Sequence, residues 1–363
     1  MGSMPHLFAP LTLRELTFPN RIFVSPMCQY SSDDGLANPW HLVHLGSRAV
    51  GGAALVMTEA TAVTPEGRIS PQDLGLWSDA HAEALAPAIA FIKQQGRIPG
   101  MQLAHAGRKG STHRPWSGHG EVAPSEGGWT PVGPDSHAFA PNYPVPEALD
   151  LAGVASIVAA FRAAARRARA IGIEVAEVHA AHGYLLHEFL SPLSNSRVDA
   201  YGGSFENRVR LCLEVVDAVR TEWPESLPVF VRISATDWVE GGWDIEQSIA
   251  LARLLSAHGV DLVDCSTGGN VAKASIPVGP GYQVPFAERI RREAGIATGA
   301  VGMITTPQQA NAIIESGQAD CVLLARELLR DPYWPLHAAE ALGHAANWPA
   351  QYLRAAPAGA VSR

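Results

Sequence analysis

Two histidines and a tyrosine lie close together in this sequence, at His179, His182 and Tyr184. Two imidazoles three residues apart could bind a metal ion, or they could donate hydrogen bonds to one substrate oxygen and polarise a carbonyl or nitro group. If they polarise a substrate, the hydroxyl of Tyr184 could deliver a proton to it. The two histidines could also serve packing alone. The residue types leave these three interpretations open. The same spacing at His41 and His44 falls in a helical pattern, where we interpret both as helix-face residues.

A second candidate is a single arginine in the apolar run Val231-Arg232-Ile233. A buried guanidinium needs an anion or several acceptors. The N1–C2=O edge of a flavin, which gains negative charge on reduction, would satisfy it. An internal salt bridge with a carboxylate such as Glu177 would do so equally well. Further along, Gly302 and Arg326 stand at the ends of two apolar runs, where backbone amides and one arginine suit a single phosphate.

These residues follow short apolar runs that alternate with longer helical patterns. The runs cover residues 22–27, 53–58, 100–104, 173–179, 228–234, 260–266, 297–302 and 320–325. Several are apolar on both faces, which is typical of strands buried between a barrel interior and covering helices. The alternation predicts an α/β fold with a single (β/α)8 TIM barrel over residues 4–363. An open doubly wound sheet is the alternative, and the lack of a GxGxxG fingerprint disfavours it.

Start and stop signals frame the helical patterns. Thr306 and Asp244 each precede a helical run and have glutamine three residues later, as N-cap residues do. Glycines that should end helices are Gly96, Gly172, Gly259 and Gly317. In such a barrel, the side chains that do chemistry lie at the carboxyl ends of the strands.

Residues 107–146 depart from this rhythm, because they contain many Gly and Pro residues and little helical periodicity. A loop this long inside a compact domain is usually functional or disordered. The segment follows the third predicted barrel strand, on the side where a barrel carries its active site. We therefore predict a lid or hairpin over the site, with a floppy surface insertion as the alternative.

Composition limits the partners and the compartment. Lys and Arg total 27 against 35 Asp and Glu, a net charge of −8, which argues against nucleic acid or an anionic membrane as partner. The cysteines Cys28, Cys212, Cys265 and Cys321 are scattered, so we expect reduced thiols, a cytoplasmic protein and no zinc or iron–sulfur motif. We expect neither a secretory signal nor a membrane span. Residues 1–3 are interpreted as a cloning remnant.

Four motifs occur in order along the chain. They are Ser25-Pro26-Met27-Cys28-Gln29-Tyr30, Gln102 with His105-Ala106-Gly107-Arg108-Lys109, His179-x-x-His182-Gly183-Tyr184, and Asp199-x-Tyr201-Gly202-Gly203-Ser204-x-Glu206-Asn207-Arg208. Together they resemble the Old Yellow Enzyme family, in particular the bacterial subclass typified by YqjM and xenobiotic reductase A. The resemblance extends from about residue 7 to residue 352. It implies non-covalent FMN in a barrel and a transient nicotinamide, NADPH or NADH, as reductant.

The resemblance implies an ene-reductase with a ping-pong cycle. Hydride would pass from NAD(P)H through flavin N5 to the β-carbon of an α,β-unsaturated carbonyl or nitro compound. His179 and His182 would bind the substrate oxygen, Tyr184 would donate the proton, and Tyr30 would close over the substrate. Residues implied in FMN binding are Ser25, Pro26, Met27, Cys28, Ala60, Gln102, Arg232, Gly302, Met303, Ala325 and Arg326. Cys28 replaces a threonine of the other main branch and would tune the redox potential, since a thiol is the weaker donor.

The C-terminal tail, residues 344–363, carries one further candidate. Members of the subclass often lend a tail arginine to a neighbour's active site, which nominates Arg354 and implies a homodimer or homotetramer. Here the tail continues Ala355-Ala356-Pro357, where the family has an aromatic residue. The alternative functions are a metal-dependent barrel hydrolase using His179 and His182, a large dienoyl-CoA reductase, and a flavin-storing protein without activity. The expected substrates are small electron-poor alkenes, and no resident metal is implied.

Overall fold

Short runs of buried residues form the strands of the barrel. The computed structural model describes residues 6–357. In chain order the strands are β1 (Leu11–Leu13), β2 (Leu16–Phe18), β3 (Ile22–Val24), β4 (Leu55–Ala62), β5 (Ile98–Ala104), β6 (Val132–Gly133), β7 (Glu147–Ala148), β8 (Val175–Ala180), β9 (Val229–Ser234), β10 (Leu262–Ser266), β11 (Ala297–Ala300) and β12 (Cys321–Leu324). A closed parallel barrel has the order β10-β11-β12-β3-β4-β5-β8-β9. Each of the eight predicted runs overlaps one barrel strand, so the (β/α)8 prediction is confirmed.

Helices connect the barrel strands. They are α1 (Pro39–Val50), α2 (Asp79–Gln94), α3 (Leu151–Ala170), α4 (Leu185–Leu190), α5 (Phe205–Glu222), α6 (Ile245–Ala257), α7 (Val284–Ala294), α8 (Pro307–Glu315), α9 (Arg326–Arg330) and α10 (Trp334–Ala341). The predicted caps are present: Asp244 accepts a hydrogen bond from the N–H of Gln247, and Thr306 accepts one from the N–H of Gln309. The four predicted stop glycines all have left-handed backbones, with φ between +67° and +92°.

Apolar side chains close the amino-terminal end of the barrel. The antiparallel hairpin β1–β2 places Phe18 against that end, with its ring 4.8 Å from the ring of Phe23 on β3. Phe230 on β9 completes the aromatic group, 6.4 Å from Phe23 between ring centroids. All three side chains are fully buried. Polar side chains that must meet a ligand are therefore concentrated at the opposite, carboxyl end.

Residues 107–146 form an irregular segment that packs on the barrel. It contains two short 3-10 helices (Gly107–Lys109 and Pro124–Glu126), and its strand β6 pairs with β7 just beyond it. The indole N–H of Trp129 donates to the carbonyl of Glu66, and the guanidinium of Arg68 lies 4.9 Å from the Trp129 ring. These contacts attach the segment to the loop after β4. Its function as a lid remains a prediction.

None of the helices between residues 6 and 357 has the length and hydropathy that a transmembrane span requires. The tail is described as far as residue 357 and includes the 3-10 helix Ala350–Ala355. The interpretation of residues 1–3 as a cloning remnant lies outside the described residues.

Truncating the aromatic group at the amino-terminal end should destabilise the whole barrel. We expect Phe23→Ala to lower the free energy of unfolding by about 3 to 5 kcal/mol, because it leaves a cavity where the side chain was fully buried. The midpoint of denaturant-induced unfolding measures the effect. Val198→Ala is the control, since Val198 is fully exposed. Equal midpoints for the two variants would contradict this account of the core.

Candidate active site

His179, His182 and Tyr184 meet at the carboxyl end of β8. The ring of His179 lies 5.2 Å from that of His182 and 5.1 Å from that of Tyr184, edge to face in both cases. His182 has a left-handed backbone with φ +60°. Its N–H donates to Ser234 Oγ at 2.9 Å, and its Nε2 lies 2.7 Å from Ser266 Oγ. Hydrogen bonds with serines at the ends of β9 and β10 therefore hold both the ring of His182 and its backbone, whose left-handed conformation is otherwise unfavourable.

Burial makes both imidazoles neutral at physiological pH. It lowers the pKa of His179 and of His182 well below the usual histidine range, and the nearby charge of Arg232 acts in the same direction. Nδ1 of His179 is buried and has no hydrogen-bond partner among residues 6–357. Burial also raises the pKa of Tyr184 well above the usual tyrosine value, so its phenol keeps its proton. The group thus consists of two neutral imidazoles and a neutral phenol, and one imidazole nitrogen, His179 Nδ1, has no partner within the described residues.

A cleft beside this group collects most of the other predicted residues. Its volume is about 320 Å³, which lies within the range of ligand-binding clefts. Predicted residues that line it are Ser25, Pro26, His182, Arg232, Gly302, Met303, Ala325 and Arg326. Residues that sequence reasoning missed include Ser266, Tyr282 and Gln283. Of these, Ser266 ends the apolar run 260–266 and could have been found by its position.

Arg232 is held inside the barrel mouth by a carboxylate and a hydroxyl. Its Nε donates to Asp264 Oδ2 at 2.5 Å, and its Nη2 donates to Ser25 Oγ at 2.7 Å. The suggested partner Glu177 is more distant, at 3.9 Å from Nε to Oε1. Asp264 was missed, although it interrupts an apolar strand in the same way as Arg232. Arg232 therefore both forms an internal salt bridge and borders the cleft.

Gln102 contacts Glu177 directly. The side-chain amide of Gln102 donates to Glu177 Oε1 at 2.8 Å, and both residues are buried. The contact follows from the register of the barrel, in which Gln102 on β5 is paired with Glu177 on β8. Gln102 does not line the cleft described above.

Cys28 and Tyr30 of the first motif lie near Tyr184 but do not line the cleft. Tyr30 and the backbone of Ala60 lie close enough to Cys28 to influence the pKa of its thiol. Desolvation raises the pKa of Cys28 well above the usual thiol value, so Cys28 is a neutral thiol. Tyr30 has a left-handed backbone with φ +49°, and its ring meets that of Trp116, from segment 107–146, at 5.9 Å. Ala60 and Tyr184 border a separate cavity of only about 10 Å³.

Lys109 was part of a motif but had no assigned role. Its Nζ donates to the carbonyls of His182, at 2.8 Å, and of Gly269, at 3.0 Å. The same ammonium lies 5.1 Å from the centroid of the Tyr184 ring. Lys109 therefore joins the loops after β8 and β10 and fixes the backbone that carries His182.

Arg354 takes part in none of these contacts. It is exposed in the 3-10 helix Ala350–Ala355 and does not line the cleft. Because its suggested role concerns a neighbouring subunit, that role stays a prediction.

The hydrolase alternative lacks ligands. Within residues 6–357, no three or more His, Cys, Asp or Glu side chains are arranged to hold a metal ion. The imidazoles of His179 and His182 are therefore not supported by a third ligand.

Comparison with known proteins identifies the family. The sequence profile of the NADH:flavin oxidoreductase / NADH oxidase family matches residues 6–344. The chain is 49% identical to an NADPH dehydrogenase of Geobacillus thermodenitrificans over 350 residues, 96% of this chain and 98% of the relative. It is 47% identical to the NADPH dehydrogenase of Bacillus subtilis, with the same coverage. Among solved structures, morphinone reductase superposes with a TM-score of 0.79 at 28% identity, covering 95% of this chain and 91% of that protein.

The chain belongs to the NADH:flavin oxidoreductase / NADH oxidase family. This confirms the predicted membership of the Old Yellow Enzyme family and its subclass. The protein is an oxidoreductase whose cofactor is FMN and whose reductant is a nicotinamide.

The residues of the cleft fit the flavin cofactor of this family. Arg326 borders the cleft and has no ion pair within the part of the chain that the structure describes, so its charge is available to a phosphate. Gly302 has φ +119°, and a Cβ there would approach Gln283 Nε2 to 2.7 Å. The positive φ and the contact with Gln283 therefore both favour glycine at this position on the border of the cleft. Arg232 adds a buried cation at the other end.

For this flavoprotein, the two arginines near the proposed phosphate position should differ in importance. Arg326→Gln should weaken FMN binding by about 10- to 100-fold, because a hydrogen bond to a charged group contributes about 1.5 to 3 kcal/mol. Arg330→Gln is the matched control, since Arg330 also borders the cleft but pairs with Glu327 at 3.0 Å. Fluorescence titration of apo-protein with FMN measures both. Equal dissociation constants for the two variants would remove Arg326 from the phosphate site.

Proposed function

We propose that this flavoprotein is an ene-reductase that uses electrons from NADPH to reduce electron-poor carbon–carbon double bonds. The observation that carries the proposal is the grouping of two neutral imidazoles and a protonated phenol beside the Arg232 cleft. Donors of this kind suit an oxygen that gains negative charge, as the oxygen of an enone or nitroalkene does during reduction.

His179 and His182 bind the substrate oxygen in this proposal. A neutral imidazole offers one N–H donor, and two such rings aimed at one oxygen stabilise developing charge without carrying charge themselves. The unmet Nδ1 of His179 and the fixed geometry of His182 support this role. Which ring nitrogen carries each proton follows from the hydrogen bonds made by the other nitrogen.

Tyr184 delivers a proton to the α-carbon, while bound FMN supplies the hydride that the β-carbon receives. The phenol is buried and protonated, and its ring lies against His179. Lys109 supports this step, because an ammonium 5.1 Å from the ring centroid stabilises negative charge on the phenol as its proton leaves.

Nicotinamide and alkene use the site in turn, in a ping-pong cycle. One cleft of limited size, together with the lack of a resident dinucleotide fingerprint, supports sequential visits. We assign NADPH as the donor because the relatives that are 49% and 47% identical are named NADPH dehydrogenases.

Tyr30 and segment 107–146 close the site, and a neighbouring subunit completes it. The contact of Tyr30 with Trp116 supports the first role, since Trp116 is an exposed aromatic residue of that segment. Exposed Tyr352 and Leu353 beside Arg354 support the second, because an apolar tail is suited to contact another copy in a homodimer or homotetramer.

The decisive experiment is the visible absorption spectrum of the purified protein under anaerobic conditions. A flavin spectrum should bleach after addition of NADPH and return after addition of cyclohexenone. A spectrum that bleaches but does not return with any of several enones, maleimides and nitroalkenes would contradict alkene reduction. A protein that takes up FMN but does not bleach would instead indicate flavin storage.

Removing the proton donor should separate the two half-reactions. In Tyr184→Phe, reduction by NADPH should be nearly unchanged, while reoxidation by cyclohexenone should slow by about 100-fold or more. His179→Ala and His182→Ala should each slow reoxidation by about 100- to 1000-fold, as expected when one oxyanion donor is removed. Stopped-flow absorbance measures both steps. Full-speed reoxidation of the Tyr184→Phe enzyme would exclude Tyr184 as the donor.

The pH dependence of reoxidation should lack a histidine step. Burial lowers the folded-state pKa of His179 and His182, so their neutral forms persist as pH falls and protonation occurs only well below the usual range. We therefore expect no histidine step between about pH 5.5 and 7, where an ordinary histidine would titrate. A change in rate at higher pH would belong to Lys109, because burial lowers the pKa of its ammonium to about 8. A step near the usual pKa that disappears in His179→Ala would contradict the neutral pair.

A further inference from the structure

Four barrel strands bring together a buried cluster of Gln102, Glu177, Arg232 and Asp264, of which Arg232 lines the cleft. Strand register accounts for the arrangement, since Asp264 is paired with Arg232 and Glu177 with Gln102. All four side chains are at most 4% exposed. This cluster contains two residues proposed to contact FMN, Gln102 and Arg232, and two carboxyl groups with no role in the chemistry.

The carboxyl groups outnumber the cation. Two ionised carboxylates beside one guanidinium would leave one net negative charge in the barrel, and an uncompensated buried charge is strongly unfavourable. The charged groups that interact with Glu177 are Asp264 and Arg232. One bound proton would make the cluster neutral.

Unmet hydrogen bonds point to the position of that proton. Glu177 Oε2 and Asp264 Oδ1 are both buried and have no donor among residues 6–357. The carboxyl groups of Glu177 and Asp264 also lie within hydrogen-bonding reach of each other. A proton on one carboxyl group that is donated to the other gives both groups a partner.

The other contacts decide which carboxyl group holds the proton. Asp264 receives the 2.5 Å hydrogen bond from Arg232, which favours its ionised form, whereas Glu177 is 3.9 Å from that guanidinium. Glu177 receives instead a neutral amide hydrogen bond from Gln102. Burial raises the pKa of Glu177, and the negative charge of Asp264 raises it further.

We infer that Glu177 is a protonated acid that donates to Asp264, and that this neutral cluster orients Gln102 and Arg232 and sets the reduction potential of the flavin. The inference rests on the proposed contacts of Gln102 and Arg232 with FMN. Glu177 and Asp264 act through those two residues and are therefore positioning residues.

The consequence is electrostatic. Reduced flavin carries more negative charge than oxidised flavin, so a positive charge at Arg232 favours reduction. Asp264 compensates part of that charge and therefore lowers the reduction potential of the flavin. Glu177, being neutral, contributes position but little charge.

Two isosteric substitutions test the assignment. Asp264→Asn removes a negative charge and should raise the midpoint potential of bound FMN. The expected change is at least tenfold in the ratio of affinities for reduced and oxidised flavin, about 30 mV for a two-electron couple. Glu177→Gln replaces a protonated acid by an amide, which can still donate to Asp264 and accept from Gln102. It should shift the potential by less than a third of the Asp264→Asn shift. Spectroelectrochemical titration without alkene measures both.

Each other outcome would overturn the inference. Equal increases in midpoint potential in the two variants would mean that both carboxyl groups are ionised. An increase in midpoint potential in Glu177→Gln alone would place the proton on Asp264. No change in either variant would uncouple the cluster from the flavin. Because no alkene is present, these results are independent of whether the protein is an ene-reductase. Failure of wild-type protein to reduce any alkene would instead overturn the proposed function.

A measurement on the apo-protein guards against variants that fold or bind FMN poorly. The infrared difference spectrum of wild type minus Glu177→Gln, at neutral pH and without FMN, should contain the carbonyl band of a protonated carboxylic acid. A carboxylate band in its place would show that Glu177 is ionised and would overturn the inference. Glu177→Ala gives a further contrast: it removes the partner of Gln102 and should weaken FMN binding, whereas Glu177→Gln should retain it.

Discussion

A positive charge buried inside the mouth of a barrel needs compensation, and the site is organised around that need. Arg232 is almost completely buried, yet it borders the cleft in which FMN is to be held. Asp264 on the neighbouring strand β10 and Ser25, just after β3 on the opposite side of the barrel, both hold its guanidinium. Gln102 enters the same network through Glu177. Burial lowers the pKa of the nearby imidazoles of His179 and His182, and the charge of Arg232 lowers it further. One ion pair thus affects the position, charge and hydrogen-bonding capacity of several groups.

The amino-terminal end of the barrel contributes mainly to stability, whereas the carboxyl end carries the residues proposed to do the chemistry. Aromatic and aliphatic side chains fill the amino-terminal end, where Phe18, Phe23 and Phe230 pack together. This allows the carboxyl end to carry histidines, arginine and carboxylates that would otherwise weaken a core. Left-handed residues such as His182 and Met303 occur at this polar end, where backbone strain is tolerated because neighbouring hydrogen bonds hold it.

Much of the fold was predictable because its signals are local. Buried parallel strands have apolar side chains on both faces, and the caps at Asp244 and Thr306 depend on residues three positions apart. The site was predictable in part. His179, His182 and Tyr184 belong to one short segment, so their proximity follows from the chain itself. Asp264 and Ser266 were missed, because their partners lie on other strands and their importance comes from register.

The sequence by itself determined the eight strands, the family and the residue types available for chemistry, since each rests on short-range patterns or on motifs in order. Only the tertiary structure decided which acceptor Arg232 uses, that Lys109 supports His182, and that two carboxyl groups share one cation. Those facts depend on distances between side chains that are remote in sequence, such as Arg232 and Ser25. They depend also on burial, which sets protonation states and arises only when the barrel closes.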